Sequence, residues 1–344
     1  MSFDPDAPAN PDHLYGLPFT PENARVVLIP VPWQATTSYR RGTRGGPRAI
    51  FEASLQVDLH DLEVGDAWRE GFAMLPEDDV VRAWDHDAEG DALAVIAAAE
   101  GDDAGDGPAD IVIELALARV NALSERLNEH VYAETKRLFD LGHLPGVLGG
   151  DHSVPFGAIR AAAERHPGLG ILHIDAHADL RVAYEGFTWS HASILYNVLT
   201  RIPDIAAVAQ VGLRDVGAKE VAFANADDRV SWYTDPQIQR SLAEGTPWIA
   251  LVREIIAGLP DTIWITLDID GLDPALCPGT GTPVPGGLSW GQVCVLLAEV
   301  GASRRIVGFD LNEVGPGEWD GNVGARLLYK LCGHAVRSHR GLRT

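Results

Sequence analysis

Cysteine is scarce in this sequence: Cys277, Cys294 and Cys332 are the three it has, and they show no paired spacing. That excludes a disulfide framework and points to a reducing compartment. Basic residues are also in short supply, 27 Lys and Arg against 49 Asp and Glu, which leaves a formal charge of −22. Nucleic acid and anionic membrane surfaces both need a basic footprint, so neither is expected as a partner. The acid surplus fits a cationic substrate, and it equally fits plain solubility. Long apolar runs are missing. None approaches the roughly 18 residues of a membrane span. Residues 1–17 are polar and rich in Asp, Asn and Pro, without the basic start and apolar run of a signal peptide. A soluble, cytoplasmic protein is expected. Segment 33–47, dense in Gly and Arg, matches neither G-x-G-x-x-G nor the lysine-containing P-loop. It reads better as a loop that covers a substrate or touches another subunit than as a phosphate cradle.

What the chain does have is an apolar run that closes on ligands: Ile171-Leu172-His173-Ile174-Asp175-Ala176-His177-Ala178-Asp179. In an extended strand every second side chain points the same way, which would put Asp175, His177 and Asp179 on one face. A second run repeats the design. Trp264-Ile265-Thr266-Leu267-Asp268-Ile269-Asp270 ends in carboxylates at i and i+2 and turns at Gly271-Leu272-Asp273-Pro274. A fully buried strand ordinarily reads as continuous Val, Ile and Leu. Unpaired buried carboxylates cost several kcal/mol or shift their pKa to stay neutral. The plain alternative, that each Asp caps the following helix, explains one of them well and all five ligands together badly. Five ligands from two strands suit two cations. His152, which follows Gly149-Gly150-Asp151 at another strand end, is the natural sixth. Four Asp and two His are a hard to borderline set. Mn²⁺ suits it best, with Ni²⁺, Co²⁺ or Zn²⁺ also admitted.

With 46% apolar residues in 344, the chain can bury a large core. Strand signals fall at 25–32, 144–148, around His173, at 206–211, at 230–233, around Asp268 and at 306–310. Helical periodicity falls from about Arg48, then at 111–141, 155–165, 193–200, 248–258, 290–300 and 322–337. That alternation means right-handed crossovers and a parallel sheet covered on both faces, with ligands beyond the carboxyl ends of the strands. Residues 77–110 are acidic and rich in Ala and Gly, and read as a solvated insertion with a short helix over 92–99. Residues 1–24 read as an N-terminal extension, and 25–340 as one domain.

Gly149-Gly150-Asp151-His152-Ser153, Asp175-Ala176-His177-Ala178-Asp179, and Asp268-Ile269-Asp270-Gly271-Leu272-Asp273-Pro274 with Gly279-Thr280-Gly281-Thr282-Pro283 resemble, in order, the three signature motifs of the ureohydrolase (arginase/agmatinase) family. The resemblance extends from the Val26 strand to the Tyr329 helix. It implies an arginase-like α/β fold, a three-layer α/β/α sandwich on an eight-stranded, mostly parallel sheet. It also implies two Mn²⁺ per subunit, and hydrolysis of a guanidino group to urea and an amine. His152, Asp175, His177, Asp179, Asp268 and Asp270 match the six metal ligands, and Asp179 also matches the carboxylate that holds the attacking hydroxide. Glu313 matches the acid that pairs with the guanidinium, His191 the proton-shuttling histidine, and Thr282 a residue beside the substrate.

The segment 180–190 looks like the agmatinase-type branch, with Arg181 structural rather than a carboxylate binder. Phe187 and Trp189 would form a two-aromatic pocket for a small or short-chained substrate. Agmatine is the first expectation. Guanidine, guanidinobutyrate or another guanidino acid are alternatives, as is a non-catalytic or deacetylase-type relative. The resemblance further suggests a homo-oligomer, trimer or hexamer.

Overall fold

Val26-Val27-Leu28-Ile29 offers water no polar side chain, and in the computed structural model it lies wholly buried inside an eight-stranded sheet. The structure describes residues 3–101 and 108–340. Among these the chain runs β1 (Val26–Val31), α1 (Gly46–Ser54), β2 (Phe72–Met74), α2 (Asp79–Glu100), α3 (Pro108–Asp140), β3 (Leu144–Gly149), α4 (Phe156–Arg165), β4 (Leu169–Ile174), α5 (Ile194–Arg201), β5 (Ile205–Val211), α6 (Ala218–Ala226), β6 (Val230–Tyr233), α7 (Asp235–Ala243), α8 (Trp248–Ala257), β7 (Thr262–Asp268), α9 (Trp290–Ser303), β8 (Arg305–Asn312) and α10 (Glu318–Ser338).

The sheet order is β2-β1-β3-β8-β7-β4-β5-β6, and every pairing is parallel. Alternate side chains feed two cores. Leu172 and Ile174 face one with Ile50, Val252, Leu296 and Leu327 from α1, α8, α9 and α10. Leu169 and Ile171 face the other with Ala88, Val120, Ala162 and Val198 from α2, α3, α4 and α5. Each fully buried Leu or Ile contributes about 1.5–3 kcal/mol, so the three-layer α/β/α arrangement follows from strands that are apolar on both sides.

Sequential strands β3 and β4 are separated in space by β8 and β7. The order reverses there, and a crevice opens beyond the carboxyl ends of the strands. β7 ends in the candidate site residue Asp268, β4 and β8 end immediately before Asp175 and Glu313, and β3 ends three residues before His152.

Several expectations are corrected. Within the stretch expected to be a solvated insertion with a short helix over 92–99, residues 79–100 form one long, partly buried helix instead. α2 spans Asp79–Glu100, starts on an Asp78 cap that accepts the Val80 N–H, and buries Val81, Asp85, Ala88, Ala92, Val95 and Ile96. Spacings of three and four make one face of a helix, here packed on α3. Asp102 to Gly107, the centre of that expected insertion, lie outside the described residues. β2, α6 and α7 were not expected; β2 has three residues, too few to show a period. Residues 3–24 are tied in as well: Tyr15 is buried and its hydroxyl donates to Ala325 O at 2.7 Å.

Candidate metal centre and cleft

β4 stops at Ile174, so Asp175, His177 and Asp179 do not alternate along a strand as expected. They lie on the loop that leaves it, and Asp179 has φ +54. A non-glycine residue in that region stores strain, which concentrates at functional sites. Glu313, directly after β8, shows the same at φ +60.

The loops nonetheless bring all six expected ligands together. His152 Nδ1 lies 3.0 Å from Asp175 Oδ2, 3.3 Å from Asp179 Oδ2 and 3.5 Å from Asp268 Oδ2. His177 Nδ1 lies 3.1 Å from Asp270 Oδ2 and 3.4 Å from Asp175 Oδ1. Asp175 thus presents one oxygen to each imidazole.

Glycine lets β3 deliver His152 for a reason other than a sharp turn. A Cβ on Gly150 would fall 1.8 Å from the Trp33 carbonyl oxygen, so close passage of two backbones, not a positive φ, requires glycine there.

A network behind the cluster aims its groups, and the sequence reading missed it. The Thr266 hydroxyl donates to Asp310 Oδ1 at 2.7 Å, so at 2.9 Å it accepts from His152 Nε2–H. This leaves His152 Nδ1 to face the carboxylates. Asp310 is further held by Trp264 Nε1 and Asn312 Nδ2. On the other flank Gln210 Nε2 donates to His173 Nδ1 at 2.8 Å, and His173 Nε2–H donates to Asp175 Oδ2 at 2.9 Å. Partners of this kind orient metal ligands. The available signal was polar residues, His173 and Thr266, inside otherwise apolar strands.

The electrostatics fit a divalent ion. Burial, then the charges of Asp270 and Asp175, push Asp268 well above the usual carboxylate range. Burial and Asp175 raise Asp179 to about 6. Burial would lower both imidazoles, yet the carboxylates around His152 hold its pKa well up, and Asp270 and Asp175 push His177 to about 12. The cluster thus concentrates buried negative charge that a divalent ion would offset, on N and O donors able to hold a metal.

Above the cluster lies a cleft of about 250 Å³, lined by His177 and Asp179 from the cluster and by His191, Thr282, Tyr39 and Tyr184. The Thr282 hydroxyl reaches Asp270 Oδ2 at 3.3 Å. His191 opens a short turn before α5; its N–H donates to Thr36 Oγ1 at 3.2 Å and its ring meets Tyr184 edge-on at 5.9 Å. Burial lowers its pKa against the pull of Asp151, which favours the neutral ring.

Glu313 is buried, and a Cβ on Gly281, next to Thr282 in the chain, would lie 3.0 Å from its Oε2. Oε1 accepts the His152 N–H at 3.0 Å, and Oε2 is buried without a hydrogen-bond partner among the described residues. Burial, then the charge of Asp151, raise its pKa well above the usual range.

The expected two-aromatic pocket is corrected. Phe187 is fully buried in the second core, and Trp189 packs against Phe156 under the Arg201 guanidinium. The aromatic walls are Tyr39 and Tyr184 instead. Arg181 lies 3.7 Å from Glu220 Oε2 and over the Tyr184 ring, and it too lines the cleft.

The sequence matches the Arginase family over residues 24–336. It is 33% identical over 323 residues to N(1)-aminopropylagmatine ureohydrolase of Thermus thermophilus, covering 93% of this chain and 94% of the relative. It is 30% identical over 318 residues to guanidinobutyrase of Pseudomonas aeruginosa, covering 88% and 84%. The structure of agmatine ureohydrolase of Thermoplasma volcanium superposes with a TM-score of 0.69 at 23% identity, covering 93% and 92%, a likeness of fold.

A parallel sheet with an acid and imidazole cluster at its carboxyl rim, in a chain with these relatives, defines a hydrolase of guanidino and amidino groups. The chain belongs to the arginase family, whose members depend on a pair of metal ions, and its buried His and Asp cluster can hold metal.

Proposed function

We propose that the chain hydrolyses a guanidino amine of the agmatine type to urea and the corresponding amine. One observation carries this reading: Glu313 keeps a buried carboxylate oxygen without a partner beside the ligand cluster. A guanidinium, planar and with paired N–H donors, is the cation that best meets such an acceptor. Gly281 supports it, because a Cβ there would sit 3.0 Å from Glu313 Oε2 and crowd the incoming group.

His152, Asp179 and Asp268 would hold one ion and His177 with Asp270 the other, with Asp175 shared. Mn²⁺ is the proposed metal, and Ni²⁺, Co²⁺ or Zn²⁺ also suit the donors. Bound there, the ions supply the Lewis acidity that makes water a nucleophile near neutral pH. Glu313 holds the guanidinium carbon in place for attack. Asp179 accepts a hydrogen bond from the attacking oxygen. His191, neutral when the cycle starts, takes up a proton and returns it to the departing amine nitrogen. Thr282 borders the bound substrate.

Asp215 favours an amine tail. Its carboxylate is exposed on the cleft, next to His177, and makes no ion pair or hydrogen bond among the described residues. A guanidino acid such as guanidinobutyrate is the second reading, favoured by the Arg181 guanidinium on the same cleft.

Urea release from the Mn²⁺-loaded protein, measured with agmatine, N(1)-aminopropylagmatine, guanidine, 4-guanidinobutyrate and arginine, tests the reading. An amine-tailed guanidine is expected to give the highest kcat/KM. Arginine as best substrate, or no urea from any, overturns it.

Three further features belong to the reading. Residues 25–340 act as one catalytic domain behind the 1–24 extension. The protein works as a trimer or hexamer, which light scattering in solution checks. It resides in the cytoplasm, in keeping with three buried, unbridged cysteines; no described helix is long and apolar enough to cross a membrane.

A further inference from the structure

We propose that Asp85 and Glu89 of α2 are positioning residues that hold the 33–46 loop closed over the cleft. This rests on the reading of the cleft as the substrate site.

Asp85 is 2% exposed, yet it is a carboxylate on a helix otherwise buried through Ala, Val and Ile. Both of its oxygens go to the loop. One accepts the Gln34 N–H at 2.8 Å and the other the Arg44 guanidinium at 2.7 Å. One turn further along, Glu89 pairs with the second Arg44 nitrogen and with Arg41 at 3.4 Å. The loop is also closed on itself, because the Gln34 side-chain oxygen accepts the N–H groups of Gly42, at 2.7 Å, and Arg44. Both ends of the loop are therefore anchored to two acids one turn apart.

Between those anchors the loop carries what faces the reaction. Thr36 donates its hydroxyl to Asp151 at 2.9 Å and accepts the His191 N–H, while Ser38 and Tyr39 line the cleft.

Stability alone gives a poor account of this arrangement. Burial, only partly offset by Gln34 and Arg44, raises Asp85 to about 6, so the fold carries its charge at a cost. A buried ion pair of this sort is weak support for stability, but it selects one arrangement of the groups it joins. The arrangement selected here is a wall of the cleft and a support of His191.

Asp85→Asn and Arg44→Ala in the full-length protein test this. Hydrogen exchange of peptides covering 33–46, measured without substrate, is expected to quicken about tenfold or more in either variant, with β-sheet peptides unchanged. For the best substrate, KM is expected to rise about tenfold with kcat within about threefold, and the double variant to be no worse than either single one. Wild-type exchange in the loop overturns the proposal. So does faster exchange spread over the whole chain with a lower melting temperature and unchanged KM, which would make α2 a structural support only. Exchange is read without substrate, so it decides the proposal even if the substrate panel yields no urea.

Discussion

The backbone N–H of His152 donates to Oε1 of Glu313 at 3.0 Å, which ties the first imidazole of the ligand cluster to the carboxylate proposed for the guanidinium. The tie joins the ends of two neighbouring strands, β3 and β8, and leaves Oε2 as the group still to be satisfied. Glu313→Gln keeps the shape and removes the charge. It is expected to lower kcat/KM by about 10³, the loss of about 4 kcal/mol that follows from removing a charged partner of a bound cation, with metal content unchanged. Steady-state urea release and elemental analysis check both halves. Near wild-type kcat/KM would remove Glu313 from the reaction.

Asp268 is the last residue of β7 and lies 3.5 Å from His152 Nδ1, crowded by Asp270 and Asp175. Divalent ions relieve that crowding, so Asp268→Ala is expected to abolish both full metal occupancy and turnover. Removing metal from the wild-type protein with a chelator should also lower its melting temperature by several degrees. Binding to the folded state alone contributes about 2.7 kcal/mol at a hundredfold excess over Kd. Full activity of Asp268→Ala with one ion per subunit would end the two-metal account.

Much of this centre could be read in advance because its ligands are contiguous with strand ends: each motif names its residues in a row. The supporting network could not be. Thr266 and Asp310 face each other only through the register of β7 on β8, and His173 sits inside a run that reads as apolar. α2 was hidden by its own composition, since its buried face mixes Ala88, Ala92 and the carboxylate of Asp85 with only Val81, Val95 and Ile96 as larger apolar residues. Phe187 and Trp189 misled through nearness to the motif. Residues Tyr184 and Phe187 pair across a tight turn that sends Phe187 inward, and aromatic character alone carries no direction.

Asp215→Asn separates the two substrate readings. The exposed carboxylate can attract a distal ammonium through about 1 kcal/mol or somewhat more in this partly solvated setting. The variant is expected to raise KM for agmatine-type amines by about five- to tenfold, with kcat little changed and guanidine itself unaffected. Arg181→Ala is the counterpart and should weaken only guanidino acids. An equal effect of Asp215→Asn on charged-tail and tailless substrates would show that the residue acts on the cluster rather than on the tail.

A pH dependence of stability follows from His334 on α10, away from the cleft. Its side chain is 4% exposed and its Nε2 has no hydrogen-bond partner among the described residues. Burial, then the charges of Lys330 and Arg337, lower its pKa from 6.5 to about 4. The folded chain therefore prefers the neutral ring, and the unfolded chain binds the extra proton first. Stability from this group is complete above about 6.5 and is lost as pH falls towards and through about 4, to a total of about 3 kcal/mol. Melting temperatures between pH 7.5 and 4.5 should fall less steeply in His334→Gln than in the wild type, whatever the variant costs at pH 7.5. Parallel curves for the two proteins would mean that the acid sensitivity lies elsewhere, with the carboxylates and imidazoles of the metal cluster the next groups to examine.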